Sequence, residues 1–240
     1  FQNGARAAEY RTRRAGLGLD VGYAFRRAEA RAGLEIGSLN AAVRIGDPVL
    51  PGLNGGFSLV RALYEYDGQN SAVVPTRGAR LRAETRYFLD SPGQAGRFPQ
   101  AELSLSIFHP ISSRASLFLR GAGGTSFGRT ASPAAQFTLG GPFRVGALQA
   151  EELRGSRYLL TSAGYLRELA DLSPLVGGKL YGLVFYERGG AFENFGDARY
   201  ESSLSAMIVA GTRLGPAALG ASLGEGGRSN LYFSLGHFFD

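Results

Sequence analysis

Few residues in this chain have the types and spacing that chemistry requires. Gly124-Thr125-Ser126-Phe127-Gly128 matches G-x-S-x-G, in which a hydrolase presents a nucleophilic serine on a sharp strand-to-helix turn. Here the match closes an alternating segment and runs into Ser132-Pro133, with no helical pattern behind it. The one Asp-Gly pair, Asp67-Gly68, precedes the serine, and none follows it. The segment therefore reads as carrying no catalytic residues of its own. His109 and His237 are the only histidines, isolated from each other and set next to Phe and Pro residues. Metal sites need several convergent ligands, so no metal or cofactor is expected. With no cysteine, disulfides and thiolate ligands are excluded.

What remains is arginine. Lys and Arg total 26, of which only Lys179 is lysine, and the net charge is +6 with a pI near 9.8. Such a balance suits a nucleic-acid partner when the charge is clustered. Here the arginines are spaced by two and interleaved with glutamate, which makes them one face of a strand, and no nucleic-acid partner is expected. The set Arg61, Glu65, Arg80, Arg82, Glu84, Arg86, Arg120 and Arg154 is the candidate charge network. It is compatible with a selective channel lining or with a brace that fills an interior.

The elements that must position these charges have period two. Ala15, Leu17, Leu19, Val21, Tyr23 and Phe25 alternate with Arg14, Gly16, Gly18, Asp20, Gly22 and Ala24. Leu81, Ala83, Thr85 and Tyr87 alternate with Arg80, Arg82, Glu84 and Arg86. Similar segments recur around Ala30–Ile36, Ser58–Asp67, Leu103–Ile107 and Ala115–Arg120. Others follow at Tyr158–Glu168, Leu180–Arg188, Tyr200–Arg213, Ala217–Leu223 and Leu231–Phe239, with Gly and Pro between them. Facing is ambiguous at Tyr158–Glu168 and Leu180–Arg188. The count is eleven strands, six before and five after a connection, Phe137 to Tyr158, that breaks the rhythm. Its hinge is Gly140, Gly141 and Pro142, two residues free to take unusual angles and one that fixes φ.

An alternating strand can bury its apolar face in a soluble core or turn it toward lipid. Small and medium apolar residues with aromatics near strand ends suit a lipid band. Mid-strand charges of both signs suit an enclosed interior. The expected fold is therefore all-β, a transmembrane antiparallel barrel with a long inward loop. Residues 1–240 read as a single outer-membrane β-barrel domain, and a soluble barrel or sandwich is the alternative. Bacterial barrels of one chain have even numbers of strands, and an open edge in lipid leaves backbone groups unsatisfied, so either a strand is missed or the barrel's amino-terminal part lies outside this chain. The start at Phe1 is expected to mark a mature chain or the carboxy-terminal piece of a longer one.

Several motifs carry a resemblance. They are Phe137-x-x-Gly140-Gly141 with its long loop, Asp67…Pro75-x-x-Gly78, Gly215-Pro216, and the ending from Arg228 to Phe239. Together these resemble the outer-membrane insertase superfamily, which includes barrel-assembly factors and two-partner-secretion transporters. The resemblance implies about strands six to sixteen of a sixteen-stranded barrel, or else a smaller even-stranded one, in the bacterial outer membrane. Assembly factors carry Val-Arg-Gly-Phe or -Tyr after the glycine pair; here Val145-Gly146-Ala147-Leu148 lacks that arginine, with Arg144 or Arg154 as possible substitutes. Gly140-Gly141-Pro142-Phe143 with Glu152-Leu153-Arg154-Gly155 is more similar to the barrel of patatin-like phospholipases of the type V secretion class. That implies a membrane anchor and translocator for an amino-terminal lipase passenger. An assembly or secretion barrel and a passive pore are the alternatives. Expected partners are outer-membrane lipid, the chain's own passenger or a secreted polypeptide, and a second copy in a homodimer.

Overall fold

Alternation of apolar and polar side chains, with turn residues at short intervals, dictates antiparallel strands joined by hairpins. The computed structural model describes residues 9–45, 52–94, 96–172, 177–212 and 215–236. Expected features at Asp47-Pro48, Pro51, Arg213, His237 and Phe239 lie outside them. The strands are β1 (Glu9–Phe25), β2 (Ala28–Ile45), β3 (Leu53–Asp67), β4 (Gly78–Asp90), β5 (Phe98–Pro110) and β6 (Ala115–Thr125). Within the connection lie β7 (Phe137–Leu139) and β8 (Leu153–Gly155). After it come β9 (Arg157–Asp171), β10 (Gly177–Phe192), β11 (Glu201–Thr212), β12 (Gly215–Gly224) and β13 (Ser229–Leu235).

Eleven of these form one antiparallel sheet in the order β1-β2-β3-β4-β5-β6-β9-β10-β11-β12-β13, while β7 and β8 pair only with each other. The expected six-plus-five arrangement around the connection is thus the one observed. Among the described residues, β1 and β13 each pair on one side only.

The two faces of the sheet differ in the way a lipid-facing barrel requires. Leu103, Leu105 and Ile107 are 52, 41 and 41% exposed, whereas Gln100 and Ser106 on the other face of β5 are buried. On β4, Tyr87 points outward while Glu84 is 8% exposed. On β11, Leu204 and Ile208 face out, and Ser203 and Ser205 are buried. The soluble alternative requires the opposite assignment.

The ambiguous facings resolve at β9 and β10. In β10, Leu183, Phe185 and Glu187 are buried on the inner face, and Val184, Tyr186 and Arg188 are exposed on the outer one. In β9, Tyr158, Leu160, Ser162 and Leu166 face inward. Apolar residues occupy both faces of these strands, so no period-two contrast exists to read. The cause is the long connection, which lies against the inner face and gives the wall an apolar surface to pack on.

The inner face is concave, because a single loop reaches side chains of β6, β10, β11, β12 and β13. Since the outer face meets hydrocarbon, Leu105→Arg near the middle of β5 should destabilise the protein by about 2–4 kcal/mol. Denaturant titration of the protein folded into lipid vesicles measures this. A cost below a few tenths of a kcal/mol contradicts the assignment of faces.

Candidate functional site: the loop-filled lumen

The inner wall of β1 to β5 holds its charges in contiguous opposite-sign sets. Arg61 binds Asp20 through two guanidinium nitrogens, with Nε at 2.9 Å from Oδ1, and lies 3.9 Å from Glu35. Asp20 and Arg61 stand on β1 and β3, separated by Gly33 of β2 in the same register row. A side chain at Gly33 would collide with the Asp20 carboxylate, so this glycine opens the passage between them. Further along, Arg80 meets Glu65 at 2.9 Å, Arg82 meets Glu84 at 2.9 Å and Glu65 at 3.4 Å, and Arg86 meets Glu84 at 2.6 Å. Glu102 continues the chain, 3.6 Å from Arg86 and accepting the Tyr158 hydroxyl at 2.5 Å. Partly desolvated charges of this kind need partners on every side. Two other candidates stand beyond β5. Arg120, on β6, stacks over the Phe143 ring at 5.3 Å. Arg154, on β8 within the connection, is exposed and paired with Glu151 at 2.5 Å.

The connection between β6 and β9 folds inward. Gly140 and Gly141 have φ of 127° and 90°, and a Cβ on Gly140 would overlap the Gln149 carbonyl oxygen. Only glycine is comfortable there. Pro142 follows, partly buried. Phe143 and Val145 also have positive φ, 60° and 70°. For a β-branched valine this is an outlier costing on the order of 1–3 kcal/mol. Burial offsets that cost. Val145 is fully buried with Leu139, Leu148, Tyr158 and Leu160. Phe143 lies parallel to Phe185 of β10 with centroids 4.9 Å apart.

The loop tip is held by polar contacts that the sequence reading did not single out. The Gly146 amide donates to Glu187 Oε2 at 2.9 Å, and the Ser203 hydroxyl donates to the same oxygen at 3.1 Å. Asn230 of β13 donates to the carbonyls of Gly146 and Leu148 at 3.3 and 3.4 Å. Arg228 holds Glu152 at 2.7 Å. Arg144 instead donates to the Thr138 carbonyl at 2.6 Å and lies over Tyr158, away from the tip. The one available signal for Glu187 was a carboxylate directly after the uncharged run Leu180–Tyr186.

A second segment packs against the same wall from the opposite end. Residues 68–77, between β3 and β4, are folded by Asn70, whose side-chain oxygen accepts the amides of Thr76 and Arg77 at 3.0 Å each. Ser116 of β6 donates to the Thr76 carbonyl at 2.8 Å. Val74 is buried in the same cluster as Phe108, Phe118, Phe143 and Phe185. Two connections from opposite ends of the sheet therefore share one aromatic core.

The serine of G-x-S-x-G has no route to substrate. Ser126 is fully buried, its hydroxyl accepts from Gln100 Nε2 at 3.0 Å, and its amide is bonded to the Ser156 carbonyl. His109 sits at the opposite end of β5 on the exposed face.

Glu187→Ala removes the acceptor for the Gly146 amide and Ser203, at a cost of about 1–3 kcal/mol. Amide exchange across 143–148 should accelerate while that of the sheet is unchanged. Unaltered exchange at the tip rejects this seat.

An Omp85 superfamily domain matches residues 2–239. Among solved structures, BamA from Haemophilus ducreyi lacking POTRA domains 1-3 has the same fold, with a TM-score of 0.72 at 13% identity. The match covers 93% of this chain and 53% of that one, so the chain spans about half the length of the structure it resembles. No curated protein matches the chain at comparable significance. The chain therefore belongs to the Omp85 superfamily and is a β-barrel protein of the bacterial outer membrane.

Proposed function

We propose that this barrel anchors and translocates an amino-terminal patatin-like phospholipase passenger carried by the same polypeptide. The observation that carries the reading is the seat of Gly146. A Cβ there would overlap the Ser222 hydroxyl and lie 3.0 Å from that of Ser205. The seat takes a backbone amide against Glu187 and leaves no volume for the arginine found at this point in barrel-assembly factors. The Gly-Gly-Pro-Phe and Glu-Leu-Arg-Gly segments, which resemble the patatin class, both have structural employment. The first makes the inward bend, and the second supplies Glu152 to Arg228 and β8 to β7.

The assembly-factor or secretion-transporter reading shares the fold and the inward loop, and the Gly146 seat weighs against its assembly-factor form. A passive pore is disfavoured by a lumen that Phe143, Val74 and the charge sets occupy.

The parent polypeptide tests the passenger. It should release fatty acid from phospholipid vesicles by means of a serine outside residues 1–240, in a G-x-S-x-G segment upstream. Small repeat domains in that position, with no such serine, overturn the reading. Gly146→Arg should eject the loop tip, and deletion of 143–154 should remove the plug. In planar bilayers both variants should conduct where the intact barrel is nearly silent. Equal conductance in all three contradicts a loop-closed lumen.

A further inference from the structure

The described charges of the inner wall of β1 to β5 are largely matched by neighbours of opposite sign. At the rim bearing the long connection, two arginines on the outer face are not. Arg157 begins β9 in outward parity with Leu159, and Arg188 follows Val184 and Tyr186 on the outer face of β10. Among the described residues, neither has a carboxylate within 4.0 Å; each lies against an aromatic ring instead. Arg157 is 5.6 Å from the Phe195 centroid and also donates to the Glu193 carbonyl. Arg188 is 5.9 Å from the Tyr200 centroid. Phe192 links the two pairs, with its ring 5.1 Å from Phe195 and 6.1 Å from Tyr200. Two acids of this rim are committed elsewhere: Glu193 accepts from Gln136 and Ser156, and Glu225 accepts from Ser202.

A guanidinium lying on a ring keeps the N–H groups of its perimeter directed outward, in the geometry that pairs with phosphate oxygens. Tyr186, one step below Arg188 on the same face, is 47% exposed, as expected of a residue in the aromatic girdle of an outer-membrane barrel. Arg188 and Arg157 are therefore at headgroup depth. Long loops mark the extracellular side of such barrels, which places the pair at the outer leaflet.

We propose that Arg157 and Arg188, backed by Phe195 and Tyr200, seat the phosphate group of a lipid headgroup in the outer leaflet. This rests on the outward face meeting lipid and is independent of any passenger. The bound lipid would lie against β9 and β10, the two strands whose inner faces carry the base of the loop core and the Glu187 seat.

The test uses the full-length protein in phosphatidylcholine nanodiscs doped with bisphosphorylated lipid A, with retained lipid counted by native mass spectrometry. The double variant Arg157→Gln/Arg188→Gln should weaken retention about tenfold. Arg167→Gln is the control. It removes one positive charge from the outward face of β9 at the opposite rim, to be compared with Arg157→Gln and Arg188→Gln made singly, and should leave retention unchanged where each of those lowers it. Heat-modified gel mobility verifies that each variant is folded. Equal loss in the control reduces the effect to general charge attraction and overturns the site. Displacement of the lipid by millimolar inorganic phosphate overturns a lipid as the occupant, and absence of retention by the unaltered protein overturns both.

Discussion

A strand surrounded by hydrocarbon has no water to satisfy its amides, so its backbone bonds must be made by neighbouring strands. That constraint orders this molecule. It demands a continuous antiparallel sheet, which the eleven strands supply from β1 to β13. It also turns most charged side chains of β1 to β5 to the inner face, where charge is met by charge. The Asp20–Arg61 and Glu65–Arg80–Arg82–Glu84–Arg86 sets are the consequence. Register decides which charges meet. Gly33 is an example: its missing side chain lets an arginine on β3 reach an aspartate two strands away.

The same constraint explains why the lumen is filled by loops. A concave polar wall of this curvature leaves space that short side chains cannot occupy. The β6–β9 connection occupies it with Phe143 and the buried Val145 cluster, and residues 68–77 enter from the other end with Val74. Strained backbone at Phe143 and Val145 is held by this packing and by the Glu187–Gly146 bond. The tip is thus attached through a small number of polar contacts and one aromatic stack.

Some features were legible from residue order because they depend on periodicity alone. Alternation in Leu81–Tyr87 against Arg80–Arg86 gave the strand and its two faces, and the polarity of those faces indicated lipid outside. Gly140-Gly141 marked the bend because few other residues tolerate φ values of 127° and 90°. Arg154 was included in the charge set, yet it stands exposed on β8 beside Glu151, because β8 belongs to the connection and not to the eleven-stranded sheet. The facing of β9 and β10 was illegible because Leu183 and Phe185 inside and Val184 and Tyr186 outside are all apolar, each packed against a different medium.

Sequence alone therefore determined the architecture, an all-β chain with an inward connection and charges turned from lipid, because those properties follow from local period and from glycine's conformational freedom. Tertiary structure alone decided which charges pair, that the Gly146 amide rather than an arginine meets Glu187, and that Val74 and Phe143 share a core. These contacts join residues tens of positions apart. Their partners are chosen by strand register and by the path of a folded loop, neither of which is written in the pattern of any single segment.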